Sequence, residues 1–221
     1  ETAVQQALAR GEDIAIEWRT ARPAGQERWL LSVGRPVLDA RGRVQRYRGI
    51  VLDITGRKAL ERSLTFLATC GHGQDGRDFF HSLAAYLAEA LHMSFVCIDR
   101  LEGDGLRATT LALFCDGHFE DNITYALADT PCGAAVGKAV CSFPSGVRER
   151  FPHDAVLQEM DAESYVGVTL WDSAGRASGL IAVIGRKPLA DVELAESLLT
   201  MFGARAGSEL DLLRAVHRPG A

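Results

Sequence analysis

The apolar residues of this 221-residue chain change their spacing repeatedly along its length, and those changes limit where strands and helices can lie. Up to residue 54 the spacing is that of strands. Residues 13–21, 28–38 and 43–54 are rich in β-branched, leucine and aromatic side chains. They are separated by Pro23-Ala24-Gly25-Gln26 and Asp39-Ala40-Arg41-Gly42, short sequences of turn-forming type. Ile14, Ile16 and Trp18 fall on one face of the first run and Glu17 and Arg19 on the other. An antiparallel meander follows, preceded by a short amphipathic helix over 3–10. Three strands bury little by themselves, so this sheet is expected to be completed by other chain or packed on it.

From 57 to 68 the step becomes helical, with Leu60, Leu64 and Leu67 along one side and Thr55 placed to act as N-cap. Residues 70–76, with three glycines, break that helix. A second helix over 78–92 carries Phe80, Leu83, Leu87 and Leu91 on one stripe. Strand spacing then returns over 95–101, 106–114, 123–128, 140–143, 165–171 and 179–186. Gly103-Asp104-Gly105 and Ser173-Ala174-Gly175-Arg176 form turns between neighbours. Residues 144–160 make a stretch too long for a simple hairpin loop, of the kind that carries a short helix or a function. A last helix over 192–216 places Leu199, Phe202, Ala206, Leu210 and Leu213 at three- and four-residue steps. The expected class is α+β or α/β, a central antiparallel sheet flanked by helices with a three-stranded meander in front. The expected division is 1–56, a linker helix 57–69, and a second domain 70–216.

Charge and composition exclude several functions. A net charge of −5 without a basic stripe argues against nucleic acid as a partner. No apolar run approaches the roughly 18 residues that cross a bilayer, and the N-terminus lacks the layout of a signal peptide. A cytoplasmic protein without membrane contact in this stretch is expected. Cys70, Cys97, Cys115, Cys132 and Cys141 are odd in number, form no CxxC pair, and mostly lie in apolar runs, as reduced buried thiols do.

Two resemblances rest on particular residues. Arg28-Trp29-Leu30, Pro36, Asp39, Gly42, Arg46, Gly49 and Asp53-Ile54-Thr55-Gly56-Arg57-Lys58 resemble the C-terminal motif of PAS domains, in which Asp-Ile-Thr ends the last strand and starts the exit helix. The resemblance covers about residues 10–62 and implies a signal-relay role for Asp53, Ile54 and Thr55, continued by Leu60, Leu64 and Leu67. Residues 130–189 resemble the GAF domains of bacterial sensor histidine kinases and cyclic-dinucleotide signalling proteins. The motifs are Thr130-Pro131-Cys132, Phe143-Pro144-Ser145-Gly146-Val147, Phe151-Pro152-His153-Asp154, Glu163-Ser164-Tyr165-Val166-Gly167-Val168, Asp172-Ser173-Ala174-Gly175-Arg176 and Gly179-Leu180-Ile181. Members of that group often carry Glu where Gly133 stands here.

Candidate chemistry gathers in the second domain. Tyr165, Gly167, Thr169 and Trp171 share one face of a strand, and Val166, Val168 and Leu170 the other. The aliphatic face is expected to pack on the first and last helices. The mixed face either forms a filled core or, with Gly167 leaving room, lines a ligand cavity together with Phe114, Phe143, Phe151 and Asp154. A helix starting near Gly133 would hold the Cys132 thiol near positive backbone dipoles and lower its pKa. With no Lys, Arg or His adjoining, a tucked inert side chain is the simpler reading. Cys115-Asp116-Gly117-His118 has the gap of a metal half-site but no second close pair, and reads as a turn; no metal site is expected. Residues 133–139 are one residue short of a phosphate loop and end in Ala139, and no adjacent Cys-His pair for a bilin occurs. No kinase, phosphoacceptor-histidine, GGDEF-like or EAL-like signature is present, so the chain is expected to be no enzyme itself. The cofactor is left unknown. The expectation is a sensory input module of a multidomain signalling protein, with an unidentified small ligand, an attached output domain and a homodimeric state. The alternatives are a dimerisation or protein-interaction module without a ligand, input to a diguanylate cyclase or phosphodiesterase, and a free methionine-sulfoxide reductase using the cysteines.

Overall fold

The computed structural model describes residues 10–20, 28–70, 76–103 and 105–216. The expected helix over 3–10, the Pro23–Gln26 turn, most of the glycine-rich break and Asp104 lie outside the described residues. The chain divides into two compact units, 1–64 and 65–221.

The first unit is a meander of β1 (Ile14–Thr20), β2 (Arg28–Leu38) and β3 (Val44–Asp53), all antiparallel in that order. Asp39 closes the β2–β3 turn: its carboxylate accepts the N–H groups of Arg41 and Arg43 at 2.8 and 2.9 Å, the short-range bonding for which Asp is favoured in turns. At the exit of β3, Asp53 accepts both the N–H and the hydroxyl of Thr55, at 3.0 and 2.6 Å. Thr55 in turn accepts the N–H of Trp29 at 3.0 Å, and the Ile54 N–H donates to the Trp29 carbonyl. Thr55 is therefore not the N-cap expected from sequence. The carboxylate of Asp53 reaches the free N–H first, and helix α1 (Thr55–Thr69) begins two residues earlier than its leucine spacing indicates.

The leucine stripe of α1 divides. Leu60 and Leu64 are 40% and 59% exposed, whereas Leu67 and Phe66 pack against the core of the second unit. Phe66 stacks on Tyr86 with ring centroids 4.3 Å apart.

The second unit is a seven-stranded antiparallel sheet of β4 (Phe95–Leu101), β5 (Arg107–Cys115), β6 (His118–Glu120), β7 (Thr124–Ala126), β8 (Cys141–Phe143), β9 (Ser164–Trp171) and β10 (Ala177–Gly185). The spatial order is β6-β5-β4-β10-β9-β8, with β7 paired to β5. Helices α2 (Gly76–Leu91) and α6 (Val192–Val216) cover one face. The segment between β7 and β9 covers the other with α3 (Pro131–Ala135), α4 (Val147–Arg150) and α5 (Ala155–Glu159). The apolar stripes of the long helices enter the core as their spacing requires. Phe80, Leu83, Leu87, Leu199, Phe202, Ala206 and Leu210 are all buried, against Val166, Val168 and Leu170 of β9. Strand β6 is an addition to the sequence reading. Asp116 and Gly117 both take positive φ, so the stretch holding Cys115 and His118 is a tight hairpin turn of the type favoured by Asp-Gly. Among the described residues, no helix is long and apolar enough to cross a membrane.

Candidate functional site

The face of the sheet beneath the short helices holds the chemistry. On β9, Tyr165, Gly167 and Thr169 point to that side and are buried. A Cβ at Gly167 would overlap the phenol of Tyr165: the tyrosine ring lies back over the glycine and fills the room that the sequence left there. Its hydroxyl reaches the Cys132 sulfur at 3.6 Å, and the Thr169 hydroxyl donates to the Ala135 carbonyl at 2.9 Å, tying β9 to α3. Thr130 caps α3, accepting the Gly133 N–H at 3.0 Å and donating to the Leu127 carbonyl at 2.8 Å. A side chain at 133 would overlap that same Leu127 carbonyl, so this approach of α3 to the loop before it requires glycine.

Cys132 is buried by this packing. Burial, and next the charge of Asp99, push its thiol up to about 12, against smaller opposing hydrogen bonds from Tyr125 and Tyr165. The lowered pKa considered from the helix start does not occur, because a five-residue helix offers little dipole against full desolvation beside a carboxylate. Burial likewise raises Cys97 well above its ordinary range, and raises Cys70 and Cys115. All five cysteines are free.

Asp99 is the residue that the motifs did not single out. It lies on β4 in phase with Phe95, Cys97 and Leu101, which face the short helices, and is fully buried. One carboxylate oxygen, Oδ2, accepts the Tyr125 hydroxyl at 2.8 Å; the other, Oδ1, has no hydrogen-bond partner among the described residues. Desolvation raises its pKa from 3.8 to about 7, with the Tyr125 bond pulling the other way. The signal available in the sequence was one acidic residue in phase with Phe95 and Cys97, directly after the apolar run Phe95-Val96-Cys97-Ile98.

The other expected site residues separate. Phe143 and Phe151 join Tyr165 on this face, with ring centroids 5.2 Å apart for the phenylalanine pair and 6.0 Å for Phe143 and Tyr165. Asp154 caps α5, accepting the N–H groups of Val156 and Leu157 at 3.1 and 3.2 Å, and its pKa is raised by burial. Phe114 lies on the opposite face, against the long helices and edge-on to Phe119. A β-bulge is responsible: the register slips between Ile98 and Asp99, leaving Leu111 as the extra residue and reversing the alternation of β5 beyond it. Trp171 also leaves the set. It is 41% exposed and lines a surface groove with Asp172, Ser208 and Leu212, next to an irregularity between Ala177 and Gly179 on the facing strand. His118 bonds Glu120 at 2.8 Å, and no group of three His, Cys, Asp or Glu that could hold a metal ion occurs among the described residues.

The same arrangement of sheet and helices recurs in solved structures. The GAF domain of an Acinetobacter phosphoenolpyruvate-protein phosphotransferase is 17% identical, with a TM-score of 0.57 over 74% of this chain and 98% of that one. The second unit has a GAF fold. Its neighbours include a free methionine-R-sulfoxide reductase from Neisseria meningitidis in complex with its substrate (16% identity, TM-score 0.57, 73% of this chain and 91% of that one). The chromophore-binding domain of a Stigmatella aurantiaca phytochrome aligns over both units (13% identity, TM-score 0.53, 99% of this chain and 81% of that one). A family model described as PAS fold matches residues 1–51, the meander that precedes the GAF unit. No curated protein sequence matches the chain.

Proposed function

We propose that the chain is the sensory input portion of a multidomain bacterial signalling protein of the cytoplasm, with a PAS-type meander over 1–56, a linker helix over 57–69 and a ligand-binding GAF domain over 70–216. A small molecule held on the Asp99 face biases the packing of the flanking helices, and an attached output domain, a histidine kinase of a two-component phosphorelay, reads that bias. Asp53, Ile54 and Thr55 serve as the coupling between β3 and α1. The observation that carries this reading is the fully buried Asp99 carboxylate with one oxygen unpartnered inside a GAF fold, since a filled structural core has no use for such a group. Two structural neighbours of the same fold are described as holding a substrate or binding a chromophore, which supports a ligand role for this unit. A coupling of about 1–3 kcal/mol between site and helix is enough to shift an output equilibrium. Native mass spectrometry of the purified chain tests it: a retained small molecule is expected, and its absence together with no thermal shift across a metabolite panel overturns it.

A second reading has its own observation. Leu60 and Leu64 are exposed on one side of α1, as in a helix that pairs with a second copy. A homodimerisation module would retain this without any ligand. Light scattering distinguishes them: a dimer lost in Leu64→Glu, in a protein that binds nothing small, favours the interaction module. The reductase alternative has less support, because the described thiols have raised rather than lowered pKa values where a shift is resolved.

A further inference from the structure

The surroundings of Asp99 specify what a ligand would have to offer. Among the described residues no Lys or Arg pairs with it, and its only hydrogen-bond donor is the Tyr125 hydroxyl on Oδ2. The buried residues of that face are largely apolar, Phe95, Leu101, Leu127, Ala135 and Leu180 among them, with Thr110 opposite Asp99 on β5 and the thiols of Cys97 and Cys132 as its softer members. The carboxylate sits at the β-bulge of β4 and β5, a distortion that re-aims a side chain and recurs beside functional sites. The face on which it lies is covered by α3, α4 and α5, helices of four or five residues, two of them capped by a single side chain, Thr130 or Asp154. Displacing such a cover breaks few hydrogen bonds, whereas displacing α2 or α6 would open the main core. The site thus combines an unmet acceptor, an apolar lining and a cover built of minimal helices.

We propose that Asp99 Oδ1 is the anchor for a small, flat, largely apolar molecule bearing one N–H donor, an aromatic N–H heterocycle, held between the sheet and the short helices. The proposal rests on the small-ligand reading of this unit and adds to it the chemical class and the recognising atom. Tyr125 keeps Oδ2 occupied and so turns Oδ1 toward the ligand. This explains why the isosteric amide is informative: with the Tyr125 hydroxyl donating to the single oxygen of an asparagine, its NH2 faces the site and an acceptor becomes a donor.

The test uses the whole chain and two probes of nearly equal shape, indole and 1-methylindole, of which only indole has an N–H. Binding is read by ligand-observed NMR and by calorimetry. At pH 8.5, where the Asp99 carboxyl is ionised, indole is expected to bind roughly tenfold or more tightly than 1-methylindole, as one hydrogen bond to a charged group implies. Asp99→Asn should abolish that preference, and Tyr125→Phe, which spares Oδ1, should keep it. Circular dichroism confirms that both variants fold. Equal affinity for the two probes in the unaltered protein, or a preference that survives Asp99→Asn, overturns the anchor while leaving a ligand-binding unit intact. Failure of both probes to bind up to their solubility overturns it too; native mass spectrometry then separates the cases, since a retained molecule preserves the small-ligand reading and an empty protein removes both.

Discussion

The two faces of the GAF sheet are made of different material. Toward α2 and α6, the buried cluster consists of aliphatic and aromatic side chains without a charged member. Toward α3, α4 and α5, the same strands present Asp99, Thr110, Thr169 and the thiols of Cys97, Cys132 and Cys141 among their apolar residues. The first face rests on helices of 16 and 25 residues whose stripes enter the core; the second rests on helices of four or five, two of them held by a side-chain cap. One sheet therefore uses one side for stability and keeps the other for groups that are costly to bury. In the first unit, Ile54 is the one buried hydrophobic residue among those described, and Ile50 and Val51 are each 60% exposed.

The contrast breaks if the two faces respond alike to truncation. Phe202→Ala removes a fully buried ring that meets Phe66 and Tyr86 edge-on, and is expected to cost about 3–5 kcal/mol in urea unfolding, against less than half of that for the partly buried Phe143→Ala. Equal losses would mean that the short-helix face carries as much of the stability as the long-helix face.

A pH series sharpens the comparison. Because burial lifts the Asp99 pKa from 3.8 to about 7, the folded chain holds a proton that the unfolded chain releases near pH 4. The associated stabilisation is whole below that pH, falls as pH rises, and is gone above 7. Asp99→Asn removes this dependence. Its stability relative to the unaltered protein should therefore improve by on the order of 3–4 kcal/mol between pH 4 and pH 8. A difference independent of pH in paired denaturation curves would show that Asp99 titrates normally.

Cys132 should be nearly inert. With its thiol pushed up to about 12, alkylation by iodoacetamide at pH 8 is expected to run roughly a thousandfold slower than in the unfolded chain. Peptide mass spectrometry over time reads the rate, and fast labelling would revive an activated cysteine at this face. The smallest effect concerns packing: Gly167→Ala should cost about 1–3 kcal/mol by driving against the Tyr165 phenol, and Tyr165→Leu in the same chain should recover part of it. Additive losses in that double-mutant cycle would place the tyrosine elsewhere.

Much of the framework was legible from spacing. The segments read from sequence over 28–38, 95–101 and 192–216 coincide with β2, β4 and α6, because periodic runs bury one face whatever surrounds them. Strand β6 was not legible, since three residues after a two-residue turn are too few to show a period. Of the candidate site residues, Cys132 and Tyr165 share a buried cluster against which the partly buried Phe143 and Phe151 pack, while Asp154 is committed to a cap. Asp99 was visible only as an acid in an apolar strand, and nothing local marks whether such a residue meets a partner.

Residue order alone determined the alternation of strand and helix, which faces are apolar, and the turns at Asp39 and at Asp116-Gly117, because each depends on neighbours a few positions away. Tertiary structure decided the rest. A single bulge opposite Asp99 sent Phe114 to the far side of the sheet, and the Tyr165 ring occupied the space above Gly167. The company kept by Asp99 was settled by strands and loops distant in the chain. The physical reason is that side-chain direction along a strand has a period of two, so one inserted residue reverses everything beyond it, and whether a buried charge is satisfied depends on groups that the local sequence does not contain.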